Sequence, residues 1–84
     1  MSNTKTNATA LITGSYGGLG TCFVRLHASA GGNLILVGRS QQKLREQAEQ
    51  VEQQFSVKAH VIAADLSSPD AAQLIYDTCR KNKW

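Results

Sequence analysis

The 84-residue chain carries 9 Lys or Arg against 6 Asp or Glu, a net charge of +3, and is 42% hydrophobic and 18% charged. This composition belongs to a globular chain and excludes a disordered or fibrous one. The length admits one small domain, since about 60 residues already bury only about 60% of their unfolded surface, and it excludes a second domain. Basic residues from Lys5 to Lys83 are scattered and broken by acids, which argues against nucleic-acid binding. Cys22 and Cys79 form no Cys-x-x-Cys, and no His-rich tract accompanies them, so two free, half-buried thiols are expected and no zinc site. The polar opening Ser2 to Asn7 lacks the apolar core of a signal peptide. The longest clean aliphatic run, Leu34 to Val37, falls far short of the about 20 residues that span a membrane. A cytoplasmic protein with no membrane partner is expected.

In chain order, Ala8 to Thr13 is a short, partly β-branched apolar run that stops at Gly14, which predicts a buried strand. A glycine loop follows. From Leu19 onward Cys22, Phe23, Leu26, Ala28 and Ala30 recur at helical spacing until Gly31-Gly32 ends the helix. Asn33 to Gly38 is a second strand whose Leu34-Ile35-Leu36-Val37 does not alternate, as expected of a parallel strand covered on both faces. Ser40 is a suitable N-cap for a helix through Gln54, with Leu44, Ala48, Val51 and Phe55 forming one apolar stripe. Val57 to Ala64 reads as a third strand ended by Asp65-Leu66. Ser68 as cap and Pro69 at the first helical position predict a last helix that carries Ala71, Leu74, Ile75 and Thr78 inward. The order βαβαβα implies an α/β fold with a parallel sheet and right-handed crossovers. The ordered elements begin at about residue 8.

Thr13-Gly14-Ser15-Tyr16-Gly17-Gly18-Leu19-Gly20 lies where a strand turns into a helix. In that context Gly14 permits a tight turn, Gly18 lets the backbone approach a ligand, and Gly20 lets helix and strand pack closely. The free N–H groups and positive dipole of the helix start then suit a pyrophosphate. A nucleotide-hydrolase phosphate loop is excluded, because it needs Gly-Lys before Ser or Thr and the chain has Gly20-Thr21.

Thr13-Gly14-x-x-x-Gly18-x-Gly20 resembles the signature of the classical short-chain dehydrogenases/reductases. The likeness continues through Leu36-Val37-Gly38-Arg39-Ser40, Lys43-Leu44 and Ala64-Asp65-Leu66-Ser67, and covers nearly everything from Ala8 onward. It implies the N-terminal half of a Rossmann-type doubly wound parallel sheet, holding a dinucleotide cofactor. Gly14, Ser15, Gly18, Leu19 and Gly20 would line phosphates and ribose, Tyr16 would pack or touch the adenosine side, and Asp65 with the Leu66 backbone would contact the adenine. Asp65 also reads simply as a turn residue. Cofactor choice falls on the end of the second strand. An acid there favours NAD, whereas Gly38-Arg39 offers a guanidinium fork and no carboxylate, so NADP(H) is preferred over NAD(H), with Ser15 and Ser40 adding neutral hydrogen bonds.

Family catalysis resembles proton transfer by a Tyr-x-x-x-Lys pair helped by a serine and an asparagine. None of these is in the chain. Tyr76 is followed at the fourth position by Arg80, which cannot replace a compact ammonium, so no catalytic residue is assigned and the chain alone is expected to be inactive. His27 and His60 read as helix-surface and strand histidines. Lys81-Asn82-Lys83-Trp84 falls where a fourth strand, the partner of the first, should begin. The first strand would therefore show an open apolar edge suited to self-association. The alternative function is a non-catalytic nucleotide-binding or interaction module using that edge.

Overall fold

In the computed structural model, which describes residues 8–84, the strand β2 (Asn33–Gly38) runs through the middle of a three-stranded parallel sheet ordered β1-β2-β3. The polar opening Ser2 to Asn7 lies outside the described residues. β1 (Thr9–Thr13) pairs on one side with Leu11 opposite Ile35, and β3 (Ala59–Ala63) pairs on the other with Leu36 opposite Val61. The helices are α1 (Gly18–Ser29), α2 (Gln41–Phe55) and α3 (Ala71–Asn82).

The unbroken apolar run of β2 is explained by its two faces. Leu34 and Leu36 point into a cluster with Val24 and Ala28 of α1 and Leu44, Ala48 and Val51 of α2. Ile35 and Val37 point to the opposite face, where Ile62, Ala64 and Ile75 of α3 meet them. Both faces are thus dry, and alternation would have placed polar groups in one of them. The α2 stripe is as expected, and Ser40 caps the helix by accepting from the Lys43 N–H at 3.3 Å.

Four local expectations are corrected. α1 buries Val24 and Ala28, while Phe23 and Leu26 are 52% and 66% exposed and Cys22 is exposed, because no described element packs on that side. α3 starts at Ala71 and not at Pro69. The Ser68 hydroxyl accepts from the Asp70 N–H at 3.3 Å, so capping chemistry is used in a turn ahead of the helix, and Leu74 lies exposed while Ile75 is buried. The chain end does not extend toward a fourth strand. Lys83 adopts a left-handed conformation, the Trp84 N–H donates to the Cys79 carbonyl at 2.9 Å, and the indole stacks on His60 with ring centroids 4.1 Å apart. β3 is also shorter than the run Val57 to Ala64, although both of those end residues are buried.

Candidate functional site

All three strands end on the same side of the sheet, and the loops leaving them enclose a cleft of about 440 Å³. In a parallel α/β sheet this is where ligands bind, because the connections diverge beyond the strand ends. The first loop contributes Gly14, Tyr16 and Gly17, the second Gly38 and Arg39, and the third Ala64 to Ser67. Of the residues singled out in the sequence, Gly14, Tyr16, Arg39, Asp65 and Leu66 line this cleft. Ser15, Gly18, Leu19, Gly20 and Ser40 stand outside its lining.

The glycine loop is shaped by two positions. Gly14 has φ +61°, a left-handed conformation that side chains resist, and its N–H donates to the Val37 carbonyl at 2.9 Å, carrying the β1–β2 ladder into the loop. Gly20 lies so near the loop that a Cβ would overlap the Gly14 carbonyl, so α1 can start here only on a glycine. Around Gly18 no atom approaches the position of a Cβ, which leaves its backbone open to a ligand. The first turn of α1 has no side-chain cap and no acidic residue. Its positive end is therefore uncompensated, as an anion site requires.

Ser15 is placed differently from the expectation of a cofactor-facing side chain. It is fully buried, and its hydroxyl has no partner among the described residues. Its carbonyl is held from two directions, by Gln47 Nε2 at 2.8 Å and Thr21 Oγ1 at 3.2 Å. Neither support is legible in the sequence. Gln47 belongs to the polar side of α2, and only the packing of α2 beside α1 reveals that one of its glutamines reaches the loop 32 residues earlier.

Tyr16 folds back across the end of β2. Its phenol oxygen accepts from the Arg39 and Ser40 N–H groups, each at 3.1 Å, and Lys43 Nζ stands 5.4 Å from the centre of its ring. On the far wall Asp65 Oδ1 accepts from the Ser67 hydroxyl at 2.7 Å and from the Ser67 N–H at 3.0 Å. Those two bonds, with a smaller contribution from the Arg39 charge, hold the Asp65 carboxyl below its ordinary value. Asp65 is thus a turn residue and a wall of the cleft at once. The Ser40 hydroxyl accepts from the Lys43 N–H at the start of α2 and keeps its own hydrogen as a donor. Tyr76 is exposed on α3, on an element that does not line the cleft. Among the described residues no group of three or more His, Cys, Asp or Glu is placed to hold a metal ion.

A parallel α/β sheet whose first strand runs through a glycine loop into an uncapped helix, with a cleft above the strand ends, has the architecture of the Rossmann-type folds. Residues 8–83 match the family model for short chain dehydrogenase, and the chain belongs to that family. It is 38% identical over 72 residues to the very-long-chain 3-oxoacyl-CoA reductase of Candida glabrata, a match covering 83% of this chain and 20% of that one. Among solved structures it resembles L-sorbose reductase from Gluconobacter frateurii complexed with NADPH and L-sorbose, at 27% identity and TM-score 0.88, over 96% of this chain and 31% of that one. A short-chain dehydrogenase from Sphingobium yanoikuyae in complex with NADPH matches at 27% identity and TM-score 0.79, over 89% and 29%. The chain spans about a fifth to a third of the length of these proteins.

Proposed function

We propose that this chain is the part of an NADP(H)-dependent short-chain oxidoreductase that holds the adenosine half of the cofactor, the reaction being hydride transfer between the nicotinamide and a carbonyl or alcohol substrate. The observation that carries the reading is Arg39 at the end of β2, lining the cleft with no acid at that strand end. A guanidinium there supplies paired donors to a 2′-phosphate, and no carboxylate at that position repels it. The two relatives solved with NADPH support a nicotinamide dinucleotide.

In this reading the uncapped start of α1 and the open backbone at Gly18 receive the pyrophosphate, Arg39 receives the ribose phosphate, and Asp65 and Leu66 border the adenine. When bound, the cofactor supplies the hydride. The residues of the cleft bind and orient the cofactor. The reading also places the chain in the cytoplasm, in keeping with the free thiols Cys22 and Cys79. The exposed Leu11 of the edge strand favours association between copies at high concentration, which size exclusion over a concentration series would show.

The test is a fluorescence titration with NADPH and NADH. NADPH is expected to bind more tightly, and Arg39→Asp to remove that preference. Equal affinities in the unaltered chain would defeat the assignment.

A further inference from the structure

The phenol of Tyr16 is unusually placed for a residue in a phosphate-binding loop. It reaches 23 and 24 residues ahead to the Arg39 and Ser40 N–H groups and accepts from both at 3.1 Å. The ring lies so close to the end of β2 that a Cβ at Gly38 would stand 2.5 Å from its Cε2, so the second strand ends on glycine to admit it. With the phenol oxygen accepting twice, its own hydrogen is left to donate, and no acceptor among the described residues takes it. Lys43 stands over the ring, the Arg39 backbone N–H meets the hydroxyl, and the Arg39 charge shares the cleft with the Asp65 carboxylate.

We propose that Tyr16 is a specificity-determining residue for the ribose phosphate: its hydroxyl, fixed by the two backbone N–H groups, donates to the 2′-phosphate beside the Arg39 guanidinium. This rests on the NADP(H) reading above and adds a neutral donor to it. A hydroxyl that accepts two N–H bonds is polarised toward donation, and a hydrogen bond to a charged acceptor is stronger than one to a neutral group. The 2′-phosphate is such an acceptor. A cofactor without it has no charged group at this place, so the effect is confined to phosphate-bearing ligands. The same hydroxyl ties the glycine loop to the end of β2, so the pyrophosphate loop and the ribose end are held in one geometry before any ligand arrives.

Isothermal titration of the full chain with 2′,5′-ADP and with 5′-ADP, repeated for Tyr16→Phe and Arg39→Ala, tests the assignment. Tyr16→Phe keeps the ring against Gly38 and under Lys43. It is expected to weaken 2′,5′-ADP about tenfold, the scale of one hydrogen bond to a charged group, and to leave 5′-ADP within about twofold. Unchanged or tighter 2′,5′-ADP binding would overturn it, because the phosphate would then take the Arg39 and Ser40 N–H groups directly. Equal loss for both ligands would overturn it as well, showing a role in loop shape alone. If Arg39→Ala loses the preference while Tyr16→Phe keeps it, Tyr16 falls and the NADP(H) reading stands. If the unaltered chain shows no preference, both fall.

Discussion

β1 and β2 are neighbours in one sheet, paired residue for residue, yet they live in different environments. β2 is paired on both edges and covered on both faces, and Leu34, Leu36 and Val37 are wholly buried. β1 has one partner among the described residues, and its Leu11 remains 43% exposed although it stands directly opposite the buried Ile35. On the other face of the sheet, α1 likewise leaves Leu19, Phe23 and Leu26 in solvent. Apolar sequence alone therefore does not make a core. The site follows the well-covered half, since Arg39 leaves the end of β2 and Tyr16 is anchored there.

The sharpest way to break the comparison is to truncate one leucine in each region. Leu36→Ala opens a cavity between β2 and both α1 and α2 and is expected to cost about 2–5 kcal/mol, read by chemical denaturation. Leu26→Gln on the open side of α1 should change stability by less than about 0.5 kcal/mol. A large loss from Leu26→Gln would mean that something covers this side in solution. Next in size, Gln47→Leu removes one of the two supports of the Ser15 carbonyl. It is expected to lower stability by about 1 kcal/mol and to weaken nucleotide binding, while a distant α2 surface change such as Glu49→Gln leaves binding unaltered.

Smaller effects follow pH. Partial burial, with Lys58 adding to it and Glu52 opposing it, holds the His60 imidazole below its ordinary value of 6.5. The unfolded chain therefore takes up a proton first, so His60 costs nothing above pH 6.5 and destabilises the fold progressively as pH falls below it. His60→Gln should flatten this part of a melting-temperature profile. Asp65 behaves oppositely in sign of charge. Its carboxyl is held below 3.8 by Ser67, so its contribution is present above that pH and fades as pH drops through and below it. Being fully exposed, it gives the smallest change, visible as the loss of Ser67 amide protection in Asp65→Asn.

Much of the fold was legible because β2 and α2 are covered as their patterns require: an unbroken run in the middle of a sheet, and one stripe on a helix. The buried side of α1 is not legible, because Phe23 and Leu26 sit at helical spacing beside the buried pair, Val24 and Ala28, and periodicity cannot say which side meets a neighbour. The start of α3 is not legible either, because Ser68-Pro69-Asp70 suits a turn as well as a cap. Within the site, Gly14, Gly20 and Arg39 were readable from local demands of turn, approach and charge. Gln47, Thr21 and Lys43 were not. Their roles arise from loop and helix meeting in space, and on α2 a glutamine or lysine reads as solvated surface.

Amide chemical shifts of the isotope-labelled chain on addition of NADPH test the central claim most directly, because they report both regions at once. The account predicts the largest changes at Gly17, Gly18, Arg39, Ser40 and Leu66, with Leu11, Phe23 and Leu26 still. Changes confined to Leu11 and the open side of α1, or none at saturating NADPH, would contradict it.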